Sequence, residues 1–402
     1  MLDCYLRPLH DGDEKMPVYV STATGDQLGV SLRAAPPPRT SYLMYHWIPD
    51  EGGRGGSSLK SIPNCWDAKA VAAHRNSILL RFLFPKNTAT FSDKSEEFFV
   101  YQTALQTLKK LPTCRPHTFM HLNTKKNTGI LCRDNGEFVV AHLAVFEGRS
   151  GQVTAKLCCI FGEKGSWRTT KCVPICRDEG EEKQLTWWET DAVVPFGDFL
   201  CWVDYLRGIL WCDVLSPDPK VRYAPLPVDP YQGHCDPHLC LRGPLATYRT
   251  VCVTSNGGVM KFVDVPHHGS SDYGHRTSGQ YGVIRSWTLT KEWSWEQDGM
   301  INQEWLLGCP MSRGLSRLQL QCPLVDMRDP ETIYFVLAGD QDEKEKQSCL
   351  IAINMKNDTM YEVACDFRSF GSSCMYNHTT SCNIHYHEPF LPLSLDACNV
   401  TR

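Results

Sequence analysis

The 402-residue chain has no excess of charge of either sign: 41 basic residues stand against 45 acidic ones, interspersed along its length, for a formal net charge of −4. Nucleic acid would demand a basic stripe, and an anionic membrane surface a polybasic run. Neither is present, so neither partner is expected. No window approaches the roughly 18 uninterrupted apolar residues of a spanning helix. The opening MLDCYLRPLHDGDEKMP lacks a basic start followed by an apolar stretch of roughly 7–15 residues, so no secretory signal is read there. The expectation is a protein kept in a reducing compartment, cytoplasm or nucleus. Catalytic signatures are missing too: there is no G-x-S-x-G elbow, no HExxH and no Walker loop. Helical signals are scarce. The best candidate is 98–108, and even there FFVYQTA reads as a strand.

What is present is apolar and aromatic. The apolar fraction is 42% and the aromatic fraction 10%, enough for a sizeable core and against general disorder. A chain of this length defaults to two or three domains, but repeat architectures hold it as one unit. Twenty cysteines would suggest disulfides in a secreted chain. Without a signal they read as buried thiols, small hydrophobes inside strand-like runs, as at Cys158, Cys159, Cys201, Cys212, Cys252 and Cys349. The glycosylation sequons at Asn357, Asn377 and Asn399 carry no weight on the same ground.

The apolar residues come in runs of about 4–8, rich in Val, Ile, Phe, Tyr and Trp and bounded by Gly, Pro, Asn and Asp. These runs form triplets: Ile78–Phe84, Glu97–Gln102 and Leu108–Pro112; Phe138–Phe146, Lys156–Phe161 and Trp167–Pro174; Phe199–Tyr205, Ile209–Leu215 and Val221–Pro227. Two more are Thr250–Thr254, Val259–Val265 and Val283–Leu289, and Ile333–Ala338, Cys349–Asn354 and Met360–Ala364. A first unit from about Val18 to Ile62 makes about six, with a period on the order of 50 residues. One small meander cannot bury both faces, whereas meanders stacked around an axis bury each against the next. The fold expected is all-β and propeller-like, with about six blades of antiparallel meanders. Residues 17–366 form the propeller-like domain. Residues 1–16 and 367–402 stand apart as an atypical N-terminal and an irregular C-terminal segment. MLDCYLRPLHDG and LPLSLDACNVTR do not read as blade strands. The clearest hairpin is FLCWVDYLRGILWCDVL, with Arg207-Gly208 at its turn and Gly208 expected to supply a positive φ. Loop tips are expected at Asp50–Ser58, Arg177–Lys183, His267–Gln280 and Gln341–Gln347, and a stiff turn at Pro36-Pro37-Pro38.

Five groups of residues could carry chemistry. Cys374, His378, Cys382, His385 and His387 are zinc-ligand types, but the spacing is that of no finger or ribbon and the bland reading is a surface segment. His234, Cys235, His238 and Cys240 could hold a metal from one loop, and read more simply as a loop turning at Asp236-Pro237. Asp204 and Asp213 could face each other across the central hairpin as an acid–base pair, or accept backbone N–H bonds at blade corners. Ser255–Gly258 and Gly269–Ser271 are glycine-rich, yet phosphate loops precede a helix and these lie between strands. Trp187, Trp188, Trp287, Trp293, Trp295 and Trp305 could stack on a ligand, or pack blades together. In each case the structural reading is preferred, so no catalytic, cofactor or metal residue is assigned.

The stretch TDAVVPFGDFLCWVDYLRGILWCDVLSPDPKVRYAPLP, 190–227, resembles the plant family known as domain of unknown function 1618, which is expanded in grasses. YRTVCVTSNGGVMKFVDV, IRSWTL and VDMRDPETIYFVL follow in the expected order, within a matching core of 187–340, and HRNSILLRFLF and EFFVYQTALQTLKKLP extend it upstream. The resemblance implies a plant protein with a propeller-like fold similar to F-box-associated domains, and no activity. The first 40 residues lack the helical Leu-Pro-rich F-box pattern that some relatives carry, so a ubiquitin-ligase role does not follow. The reading is a non-catalytic interaction protein whose partner is another protein and which needs no cofactor. The alternative is a propeller-type enzyme with a metal or carboxylate pair at the central channel.

Overall fold

The computed structural model describes residues 1–9, 16–23, 25–35, 40–48, 67–85, 94–112, 126–148, 152–162, 165–169, 173–178, 180–186, 188–228, 245–254, 257–266, 282–302, 319–338, 348–364 and 391. Short apolar runs broken by turn residues pair with their chain neighbours, giving six successive meanders.

The first contains β1 (Arg7–Pro8), β2 (Val18–Ser21), β3 (Gln27–Arg33) and β4 (Tyr42–Ile48), in the spatial order β1-β4-β3-β2. The second is β5 (Asp67–His74), β6 (Ser77–Pro85), β7 (Lys94–Gln102) and β8 (Thr107–Lys110), in sequence order. The third has β9 (Thr128–Cys132), β10 (Phe138–Glu147) and β11 (Val153–Phe161), with two short strands, β12 (Arg168–Thr169) and β13 (Val173–Cys176), sharing its far edge. The fourth is β14 (Ala192–Phe196), β15 (Phe199–Asp204), β16 (Gly208–Cys212) and β17 (Val221–Pro225). Parallel pairing of β13 with β17 joins the third and fourth into one nine-stranded sheet. The fifth is β18 (Arg249–Val253), β19 (Met260–Asp264), β20 (Val283–Leu289) and β21 (Trp295–Asn302). The sixth is β22 (Gln319–Val325), β23 (Thr332–Ala338), β24 (Ser348–Asn354) and β25 (Thr359–Ala364). The described helical elements are one turn at Glu182–Leu185 and a 3-10 turn at Leu245–Thr247.

The core lies between the meanders. Side chains alternate across a strand, so each strand feeds two seams. In β6, Ile78, Leu80, Phe82 and Phe84 face the first meander with Leu28, Val30 and Leu43, while Leu79 faces the third with Ile130 and Val140. In β15, Leu200 and Trp202 pack on the third meander, and Cys201 and Val203 on the fifth. In β23, Ile333, Phe335 and Leu337 meet the fifth, while Val336 turns the other way toward Cys322, Leu350 and Met1. This double burial is why the strands read as continuous apolar runs. Six meanders sharing seams in succession make a six-bladed, propeller-like all-β fold.

The first strands of consecutive blades lie side by side: β5 on β9, β9 on β14, β14 on β18, and β18 on β22. They line the axis. The ring is completed by the N-terminal stretch, which the sequence reading set outside the blades. Tyr5 bridges Lys69 of β5, the Leu6 N–H donates to Ala68 O at 3.1 Å and the Ala70 N–H to Cys4 O at 2.8 Å. On the other side Leu2 exchanges backbone hydrogen bonds with Leu391, and Met1 packs on the sixth blade. The correction has a simple cause. Leu2, Cys4 and Leu6 alternate with polar or amphipathic residues, and all three are buried.

Gly208 also departs from expectation. Its φ is not positive. The glycine is needed because a Cβ there would sit 2.5 Å from both Ala224 O and the Tyr223 ring. The turn runs through Tyr205 to Arg207, closed by the Arg207 N–H donating to Asp204 O at 3.0 Å.

Candidate functional site

The inner strands enclose a cavity of about 1220 Å³ along the axis. Its walls come chiefly from β5, β9, β14 and β18 of four successive blades, with Met327 added from the β22–β23 turn of the sixth. At one end lie the hairpin turns β5–β6 (His74 to Ser77), β9–β10 (Arg133 to Gly136), β14–β15 (Gly197, Asp198) and β18–β19 (Thr254, Gly257). At the other lie Cys4, Tyr5, Asp67, Asp191, Met327 and Leu391. Small residues keep the inner strands close: a Cβ on Gly129 of β9 would sit 2.3 Å from Val193 of β14.

The polar groups at the cavity tie the blades together. His74 Nδ1 accepts the Cys132 N–H at 2.8 Å, joining β5 to β9. Burial, helped by the neighbouring Arg75 charge, lowers the His74 pKa to about 4, so the ring is neutral and its proton sits on Nε2. Arg75 forms an ion pair with Asp134 across the same seam. Asp191 Oδ2 accepts the Tyr205 N–H at 2.9 Å, and Arg249 Nη1 donates to Tyr205 O at 2.6 Å, linking the fourth blade to the fifth. Burial pushes the Tyr205 hydroxyl far up, which keeps it protonated. Asp67 accepts from Arg81 Nη2 at 2.5 Å inside the second blade.

Away from the cavity, the paired-carboxylate idea does not survive. β15 and β16 pair Asp204 with Gly208 and Leu200 with Cys212, so Asp213 stands beyond the opposite end of the hairpin. Five residues of strand, about 17 Å, separate the two positions. Asp204, wholly buried, accepts from the Glu189 N–H (3.0 Å), the Leu206 N–H (2.9 Å) and Arg207 Nη1 (3.1 Å). Asp213 Oδ1 accepts the Leu215 and Ser216 N–H groups at 3.0 and 3.1 Å. Both fix blade corners.

The tryptophans fill seams. Trp293 stacks on Trp211 at 3.9 Å with planes 6° apart, edge-on to Phe196 and Phe199. Trp287 stacks on Phe262, Trp295 Nε1 donates to Pro225 O at 3.0 Å, and Trp188 Nε1 donates to Thr190 Oγ1. Trp187 and Trp305 lie outside the described residues. Gly257, at φ +67, donates its N–H to Thr254 O in the β18–β19 turn, strand-flanked as expected. Ser255, Asn256 and Gly269–Ser271 lie outside the described residues. So do both Cys/His groups, 234–240 and 374–387, and the loop tips at 50–58, 267–280 and 341–347.

Among the described residues no set of three His, Cys, Asp or Glu is placed to hold a metal, and no helix is long and apolar enough to cross a membrane. The nine cysteines with described side chains are thiols, eight of them buried. Burial pushes Cys159 and Cys212 up to about 12, far from the thiolate that reactive chemistry requires.

The hairpin that carries Asp204 also opens the stretch that resembles a known family model. Residues 202–334 match the family model "Protein of unknown function (DUF1618)". The DUF1618 match runs from within β15 to within β23, covering the fifth blade and parts of the fourth and sixth. It supports the resemblance carried by 190–227 and the stretches after it. The upstream stretches HRNSILLRFLF and EFFVYQTALQTLKKLP precede it. No curated protein matches the chain. Among solved structures it is similar to a Bombyx mori GH32 beta-fructofuranosidase, BmSUC1, at 10% identity and a TM-score of 0.30, covering 74% of this chain and 62% of that one. It is similar to a Trypanosoma rangeli sialidase at 12% and 0.33, covering 84% and 53%. A DUF4623 family protein from Bacteroides eggerthii follows at 12% and 0.32, covering 85% and 68%. The chain thus spans less than two thirds of the length of the first two. These scores assign it no activity.

Proposed function

We propose that the chain is a non-catalytic scaffold that holds another protein on the face where the β5–β6, β9–β10, β14–β15 and β18–β19 turns gather. The observation that supports this is the employment of His74, Asp134 and Asp191 at the turn-bearing and blade-corner parts of the cavity. His74, Asp134 and Asp191 are committed to inter-blade or corner contacts, which makes the frame rigid. An acid–base role would need such groups to converge on a reacting atom instead. Rigid frames that present turns on one face are suited to recognition. On the same rim Leu105, in the β7–β8 turn, is 66% exposed, an apolar anchor of the kind interfaces bury. A plant origin, an intracellular setting and a fold shared with F-box-associated domains belong to this proposal.

The test uses the tagged full chain in plant tissue, wild type against Leu105→Asp, with quantitative mass spectrometry of co-purifying proteins. Specific partners lost from the variant at an unchanged thermal midpoint support the reading. Partners retained equally by both, or none enriched over a tag control, would sink it.

A further inference from the structure

At the end of the cavity away from those turns, Lys69 of β5 and Arg81 of β6 stand opposite each other in the ladder, and both line the cavity. Lys69 Nζ lies 4.3 Å over the Tyr5 ring. Arg81 is 2% exposed. Its Nη2 donates to Asp67 Oδ2, and its Nη1 is 3.7 Å from Glu96 Oε1, too far for a hydrogen bond. Among the described residues neither Nε nor Nη1 has an acceptor, and both are closed to solvent. A guanidinium carries five N–H donors, and buried donors in folded proteins are nearly always matched by protein, water or ligand. Here most of that capacity is unspent beside a large cavity. Asp67, which holds Nη2, is itself a cavity wall, with its side chain 25% exposed. Around these charges the lining mixes apolar groups, Ala70, Val193, Val251 and Leu391, with the polar side chains of Tyr5, Asp191 and Thr250.

We propose that the cavity takes a small organic oxyanion, a carboxylate or a phosphate ester with an apolar body, whose head meets Arg81 and Lys69 once Asp67 swings off the guanidinium. Arg81 supplies directional charge-assisted donors, Lys69 a second cation, and the inner-strand aliphatic groups cover the body. Asp67 is a built-in competitor: it holds Arg81 Nη2 and sets the affinity of anything that replaces it. This site is independent of the partner-binding face.

The test is calorimetric titration of the full chain, at constant chloride ionic strength, with benzoate and phenyl phosphate, and with benzyl alcohol as the uncharged control. At least one anion should bind saturably and the alcohol should not. Lys69→Met and Arg81→Met should each weaken binding by about tenfold or more, since hydrogen bonds to charged groups are of that size. Asp67→Asn should tighten it several-fold, because an amide no longer competes for the guanidinium. Should Arg81→Met fail to fold, the opposite shifts of Lys69→Met and Asp67→Asn decide. The idea is overturned if neither anion saturates the wild type, if affinities are the same in all variants, or if benzyl alcohol binds equally well.

Discussion

Single residues in this protein do their work at corners and seams. Asp204 satisfies two backbone donors and neutralises Arg207, itself only 9% exposed. Asp204→Ala would take the carboxylate away from a buried cation and two N–H groups, and a loss of about 3–5 kcal/mol is expected from urea denaturation. Gly208→Ala places a methyl against Ala224 O and the Tyr223 ring, with an expected cost of about 1–3 kcal/mol in the same measurement. Two histidines of the seam between the second and third blades, His74 half-buried and His142 buried, give a pH signature. His74 accepts the Cys132 N–H, and His142 contacts Thr128 Oγ1 through Nδ1 at 3.0 Å. Burial lowers both to about 4, against an ordinary value of 6.5. Between those values the unfolded chain binds protons that the folded one refuses. Their contribution is therefore complete above pH 6.5 and is lost progressively as pH falls toward 4. Thermal midpoints between pH 8 and pH 4.5 should show this decline, and His142→Phe should flatten it; an identical slope in the variant would refute the assignment.

At the level of the element, the hairpins and middle strands were legible because each is buried on both faces and so is apolar throughout. The runs at 78–84, 199–205 and 333–338 became β6, β15 and β23 within a residue or two. The innermost strands of the second, third, fourth and sixth blades escaped notice. Their residues, DAKAVAAH, TGILC, AVVPF and QLQCPLV, include small, polar or proline positions with weak strand signals. Near an axis, strands crowd, and small side chains are what fit there. The outer strand β21, WEQDGMIN, was missed for the opposite reason: it is largely exposed, and its alternation carries too few apolar residues. The Thr290–Ser294 turn, which holds Trp293 at φ +60, illustrates how an element can exist to place one side chain. Trp293→Ala should cost about 2 kcal/mol in urea denaturation by emptying the Trp211 stack, without altering the far-ultraviolet spectrum of the strands.

For the molecule as a whole, closure is the property that matters. Five seams follow from chain order, and the sixth needs the stretch from Met1 to Pro8 between the second and sixth blades. Leu2, with no exposed surface, anchors that stretch in the core between the first and second blades. Leu2→Ala is expected to cost about 2–5 kcal/mol by the urea midpoint, more than truncation at a rim position such as Leu105. The same closure makes the cavity, whose lining residues come from strands hundreds of residues apart. Composition and the return of short apolar runs were sufficient to establish an all-β chain of about six repeated units, because double burial writes itself into every middle strand. Which polar groups meet at the axis, that Arg81 lies behind Asp67, and that residues 1–8 shut the ring were decided by tertiary structure alone. Those contacts join positions whose local sequence carries no trace of one another, and they arise only when six thin meanders each bury their faces against the next.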